Sequence, residues 1–221
     1  MARVKKIDNS IRKRLLQQSI REKRKFQSRI SRQRILIVCE GERTEPNYFE
    51  GYSTILPKGI VNLEIIGTGY NTINVVESAI TEVQLKKGTI EEYDQAWAVF
   101  DKDDFPDENF NSAIILASRN KIGYAYSNEA FELWYVLHFQ FLDTAISRHQ
   151  YIEILHEQLG HTYFKQDPRI FFELQTNGSQ KNAIKWAKRL LREKSIGNPA
   201  REIPTTTVFR LVEKLNKFIE N

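Results

Sequence analysis

Short unbroken apolar runs alternate along this chain with longer stretches whose apolar residues recur at helical spacing. The run Ile35 to Cys39 shows no period-two alternation, the pattern of a strand buried on both faces. Similar short runs predict further strands at about 61–66, 96–100 and 121–126. Between them the spacing predicts helices at about 45–55, 72–87 and 110–118. Strands alternating with helices of this length imply an α/β fold: βαβ units building one mostly parallel, four-stranded sheet flanked by helices. Residues Asn128 to Phe141 are apolar almost all round, which predicts a buried helix. From about 148 the pattern is helical with no further strand. One helix follows the turn Asn177-Gly178-Ser179, and an amphipathic one covers about 205–220 through Val208, Leu211, Val212, Leu215, Phe218 and Ile219. The organisation predicted is a basic N-terminal arm (1–33), an α/β core (34–145) and a helical C-terminal part (146–221).

Charge changes this picture more than bulk composition does. Residues 1–34 carry 13 Lys/Arg against two acids, a net of +11. Subtracting from the totals of 33 basic and 28 acidic residues leaves 20 and 26 for the rest, a net of −6. A basic arm on an acidic body points to a nucleic-acid or polyanion contact, with a solvated tail as the competing reading. In the arm, Ser10 is placed to cap a helix with Ile11, Leu15, Leu16 and Ile20 at helical spacing. Arg12, Lys13, Arg14, Lys23, Arg24 and Lys25 surround that stripe and are the expected phosphate contacts. A second basic face, Lys181, Lys185, Lys188 and Arg192, recurs along the helix after Ser179. No apolar stretch approaches the roughly 20 residues of a membrane span. The N-terminus has no apolar core of the secretory kind, and the single Cys39 allows no internal disulfide. The cytoplasm is the expected compartment, with no membrane partner.

Chemistry concentrates where two of the apolar runs end. The first runs into Glu40-Gly41, with Glu45-Pro46 suited to open the next helix. The third runs into Asp101-Lys102-Asp103-Asp104. In open parallel sheets, sites lie at the carboxyl ends of strands. Two such ends finishing in carboxylate can face one another across a crevice. Asp101 and Asp103, two apart in an extended segment, point the same way, and Lys102 points to the other face. Oxygen-rich clusters of this type suit Mg²⁺, for which Mn²⁺ can substitute. Glu132, inside the predicted buried helix, needs a partner there: the metal site, as a further acid or as the residue positioning a ligand lysine or water, or else an arginine elsewhere in the core. His138 reads as a hydrogen-bonded core residue. Gly67-Thr68-Gly69 feeds a helix and could hold a phosphate on its amides, but a plain tight turn explains it as well.

These residues resemble a known family. Glu-Gly closing a first strand and Asp-x-Asp closing a later one look like the Toprim fold. More narrowly, Glu40-Gly41-Glu42-Arg43-Thr44-Glu45-Pro46-Asn47-Tyr48-Phe49, then Phe100-Asp101-Lys102-Asp103, then Ser127-Asn128 leading to Phe131-Glu132-Leu133-Trp134 and Leu137-His138-Phe139, are similar to RloB-type proteins. The resemblance covers about 35–215. It implies a bacterial phage-defence, abortive-infection or restriction-locus protein, often encoded beside an AAA-type ATPase. Members tend to carry Asn-Pro followed closely by Ser/Thr and Val. Here Asn198-Pro199 is separated from Thr207-Val208, so the role of that segment is open.

The expected activity is a Mg²⁺-dependent Toprim-type nuclease acting on RNA, tRNA included, or on DNA. Asp101 and Asp103 would hold the metal, Glu40 would be a further ligand or the general acid/base, and Glu132 would be a fourth acid of the site. The competing expectation is a catalytically silent nucleic-acid-binding or sensor subunit of an ATPase-containing complex. Nucleic acid, an ATPase and a second copy of the chain are the partners to consider.

Overall fold

The computed structural model describes residues 33–220. The predicted arm helix and its basic residues lie outside the described residues. Five strands form one sheet in the order β2-β1-β3-β4-β5. They are β1 (Gln33–Cys39), β2 (Val61–Gly67), β3 (Gln95–Asp101), β4 (Gly123–Asn128) and β5 (Thr205–Thr206). The first four are mutually parallel, with Cys39 opposite Val99 and Asp101 opposite Ser127; β5 is antiparallel to β4. From β1 the chain crosses to β2 on one side and then to β3 on the other. The strand order therefore reverses between β1 and β3, where open α/β sheets bind their ligands.

The alternation of β1 side chains divides the core into two layers. Leu36 and Val38 face α2 (Thr72–Lys86) and α3 (Asp107–Arg119) through Val75, Val76, Phe110 and Ala113. Ile35, Ile37 and Cys39 face the other layer. There α1 (Thr44–Ile55) packs with α4 (Glu132–Val136), α5 (Arg148–Leu159), α6 (Ile170–Asn177), α7 (Gln180–Lys194) and α8 (Val208–Asn216). Tyr48 of α1 sits among the rings of Phe49, Tyr52, Phe131, Trp134, Tyr135, His138 and Phe171. A polar ring closes the layer: Asn216 donates to Gln180 (2.7 Å), Gln180 to the Tyr52 hydroxyl (2.7 Å), and Tyr52 back to Asn216 (3.1 Å).

The four predicted strands and their helices are present; three details differ. The stretch Asn128 to Phe141 is buried but is not one helix. Asn128 is the last residue of β4, and only Glu132–Val136 is helical. The Asn128 amide donates to the carbonyls of Pro199 (3.1 Å) and Ala200 (3.0 Å), and satisfying that buried amide outweighs helix continuation. Secondly, the C-terminal part does contain a strand. Thr205–Thr206 pairs with β4, and the Thr207 amide donates to the Tyr126 carbonyl at 2.8 Å, so the last helix begins at Val208. Three consecutive β-branched residues favour extended pairing over a helical start. Thirdly, the 198–207 segment is a brace. Buried Glu202 accepts from the amides of Ile196 (3.0 Å) and Gly197 (3.1 Å), and Asn111 bonds Asn198 and Ala200. Among the described residues, no helix is long and apolar enough to cross a membrane.

Candidate active site

Glu40 follows β1 directly, and its amide continues the ladder by donating to the Val99 carbonyl at 2.9 Å. The amides of Thr68 and Gly69 donate to the carbonyls of Cys39 (3.0 Å) and Glu40 (2.8 Å). The glycine-bearing loop is thus a tight turn whose amides brace the end of β1. Asp101 ends the neighbouring strand, and its amide donates to Glu40 Oε2 at 2.9 Å. Asp101 Oδ2 accepts from the Phe131 amide at 3.0 Å, while its Oδ1 is shielded from solvent and has no partner. Two carboxylates from distant parts of the chain are therefore joined through backbone at the switch point of the sheet.

A cavity of about 360 Å³ opens there. Glu40, Asp101, Asp103 and Glu132 all line it, so the four predicted acids converge on one space. A fifth acid that sequence reasoning assigned only to a helix start, Glu45, lines it too. Glu45 is 4% exposed, and its Oε1 accepts from the Gly41 amide at 3.2 Å. A Cβ on residue 41 would stand 2.2 Å from Glu45 Oε2, so glycine is what lets this carboxylate lie against the strand end.

Asp103 and Glu132 each meet a cation. Asp103 is not in extended backbone: its φ is 48°, and its carboxylate pairs with Arg148 at the start of α5. A capping box at Ser147 and Gln150 fixes that start. Glu132, 2% exposed, pairs with a lysine rather than the expected arginine, Lys165 Nζ at 3.2 Å, and accepts from the Tyr163 hydroxyl at 3.5 Å. Lys102 turns away, donating to the Phe105 carbonyl (2.6 Å) and pairing with Asp107 (3.3 Å). His138 is a core residue: its Nδ1 bonds the Trp134 carbonyl at 2.9 Å, and burial lowers its pKa to about 4.

The crowding of acids sets the electrostatics. Burial pushes Glu40 up to about 7, with Glu45 and Asp103 adding to the rise and the Asp101 amide and Arg148 opposing it. Burial, then the charge of Glu132, pushes Glu45 up to about 7, against the hydrogen bond from Gly41. Asp101 is raised by burial first, then by Glu45, Glu132 and Glu40. Among the described residues no three His, Cys, Asp or Glu side chains form a ready metal cage. The donor set nonetheless suits a hard divalent cation. Glu40 and Asp101 line a cavity large enough for a phosphate, and Asp101 Oδ1 is buried there without a partner. Mg²⁺ takes one or two carboxylates, with water and substrate oxygens completing its shell.

The predicted basic face is present on α7, where Lys181, Lys185, Lys188 and Arg192 are exposed opposite buried Ala183, Ala187 and Leu190. Lys188 pairs with Glu213 at 2.5 Å, whereas Lys181, Lys185 and Arg192 make no ion pair among the described residues.

Comparison with known proteins adds one finding. The model of the family described as RloB-like protein matches residues 35–215. No curated protein and no solved structure matches the chain.

Proposed function

The chain belongs to the RloB-like family, and from that premise and the site geometry we propose that it is a metal-dependent nuclease of the Toprim type. Its reaction is phosphodiester hydrolysis in RNA, tRNA included, or in DNA, serving anti-phage defence beside an AAA-type ATPase. One observation carries the reading: Glu40 and Asp101, hydrogen-bonded through the Asp101 amide at the switch point, line one acid-rich cavity, and Asp101 Oδ1 is buried there without a partner. A buried carboxylate oxygen with no protein partner calls for a proton, a water or a cation to satisfy it.

Glu40 and Asp101 would hold the divalent cation, which supplies Lewis-acid polarisation of the phosphate and of the attacking water. As the alternative to ligating the cation, Glu40, whose pKa burial lifts toward neutrality in the metal-free protein, is suited to take the proton of that water. The water oxygen bonds to phosphorus, the ester P–O bond breaks, and the leaving oxygen is protonated from solvent. Lys165 pairs with Glu132 and holds its carboxylate at the edge of the cavity. The exposed cations of α7, and those of the arm, would engage the nucleic-acid backbone.

Purified protein incubated with Mg²⁺ or Mn²⁺ and end-labelled RNA and DNA tests this reading. Cleavage should occur and vanish in Glu40→Ala and Asp101→Ala; cleavage surviving both refutes the site. The second reading, a silent nucleic-acid-binding subunit of a defence complex, is favoured by the Arg148 pairing of Asp103. It predicts nucleic-acid binding with no cleavage under any of these conditions.

A further inference from the structure

Of the three cations lining the acid cavity, Arg43, Arg148 and Lys165, the last two pair with its carboxylates, and they are held differently. Lys165, its own side chain half exposed, pairs with Glu132, which is 2% exposed, so in this pair it is the acid that is buried. Removing that cation strands a buried charge, so the pair is a fixed part of the cavity. Arg148 pairs with Asp103 where both side chains are about one-third exposed, 34% and 32%. Neither side chain is fully buried, although the Arg148 Nη2 that meets Asp103 is itself shielded, so parting the two strands no fully desolvated acid. The guanidinium also has Glu129 Oε1 within 3.8 Å, so it has a second carboxylate near it when it leaves Asp103. The capping box at Ser147 fixes the backbone from which Arg148 extends, leaving the side chain as the moving part. Asp103, Glu40 and Asp101 line the same cavity.

We propose that Arg148 is the exchangeable counter-cation of this cavity, competing with a divalent cation for Asp103 and, once displaced, binding the phosphate of the substrate. The inference rests on the metal-dependent reading above and extends it. Arginine suits both roles, because its planar fork matches carboxylate and phosphate alike. Asp103 then joins Glu40 and Asp101 around the cation only when Arg148 has moved, and the freed guanidinium meets the phosphate arriving at the same place.

The consequence is a pair of effects with opposite sign. Arg148→Ala in the full chain should tighten Mn²⁺ binding, followed by electron paramagnetic resonance, about threefold to fivefold, the scale of a part-exposed ion pair. The same variant should bind a fluorescein-labelled oligouridine in Ca²⁺ about tenfold more weakly, the scale of a lost charge-assisted contact. Both proteins carry the same basic arm, so the ratio isolates the cavity. Arg148→Lys keeps the charge and loses the fork. It should hold Mn²⁺ affinity within about twofold of the parent while recovering oligouridine binding only in part. Adding Asp103→Asn to Arg148→Ala should abolish the gain in Mn²⁺ affinity. If Arg148→Ala weakens both ligands or leaves Mn²⁺ binding unchanged, Arg148 is a structural residue and the inference fails alone. If the parent chain binds no Mn²⁺ at all, the metal-dependent reading falls and this inference with it.

Discussion

Replacing Glu45 by glutamine should make the metal-free protein more stable at pH 8. Glutamine is nearly isosteric, and its Oε1 can still accept from the Gly41 amide, so the substitution removes charge and little else. The carboxyl rises from an ordinary 4.5 to about 7 on folding. At about 1.4 kcal/mol per pH unit, this amounts to roughly 3 kcal/mol once the folded carboxylate is ionised. With 4% exposure, solvent screening removes little of that figure. The direction follows from proton binding. Below pH 4.5 both states hold the proton and Glu45 costs nothing. Between 4.5 and 7 the unfolded chain has lost it while the folded chain keeps it, so stability falls as pH rises, and above about 7 the full cost is present. Urea denaturation of wild type and Glu45→Gln from pH 4.5 to 8.5 reads this directly. The two curves should meet near pH 4.5 and diverge to roughly 3 kcal/mol by pH 8, about 6–12 °C in Tm for a chain of this size. A variant less stable than wild type at pH 8, or a gap that shrinks as pH rises, would refute the argument that burial among acids sets this group's proton affinity.

Three further outcomes are expected. In the metal-free protein Asp101→Asn should also stabilise at pH 8, while Glu40→Gln, by loss of a proton acceptor, and Asp101→Asn, by loss of a cation ligand, each lower cleavage at least about a hundredfold in a gel assay. Gly41→Ala should lower Tm and activity together, because the new Cβ displaces the Glu45 carboxylate; the cost is about 1–3 kcal/mol by thermal melting. Changing Lys181, Lys185 and Arg192 together to Ala should weaken oligonucleotide binding and reduce the slope of log K against log salt by about 2 to 3, read by fluorescence anisotropy.

How far the site could be read before folding depends on where each residue gets its position. Glu40 and Asp101 were legible because apolar runs define parallel strands, and parallel sheets place their sites at strand ends. Their role needed no long-range information beyond the pairing of those strands. Glu45 was read as a helix opener, since its place in the cavity depends on backbone approach at Gly41, which no periodicity encodes. Yet it lies five residues after Glu40 in the same strand-to-helix connection, and that proximity was the signal available. Arg148 and Lys165 were not legible at all. They come from the helical C-terminal part and reach the cavity only through packing around Tyr48 and Tyr135. β5 escaped for a different reason: two threonines are too short to show a period, and their pairing with Ser127 and Asn128 is purely tertiary.

The same distinction explains why the acids are in the cavity. Six carboxylates and three cations line it, so ionising every acid leaves an excess of negative charge in a part-buried space. A core serving stability alone would bury apolar groups there or pair each acid, since uncompensated buried charge is among the most expensive features a fold can carry. Here Glu132 is the one fully buried acid paired with a cation, the half-exposed Lys165; Asp103 pairs with the part-exposed Arg148, and Glu40, Glu45 and Asp101 rely on backbone amides. Amides orient carboxylates without neutralising them. The remaining charge can be met in two ways, by protons or by a cation entering from solvent. Raised proton affinities at Glu40 and Glu45 make the first route effective below about pH 7, and a divalent cation supplies the second above it. The two must compete for the same oxygens, so Mg²⁺ should raise Tm at pH 8 and lose that effect toward pH 5.5. A stabilisation by Mg²⁺ that persists undiminished at pH 5.5 would place the cation elsewhere on the protein.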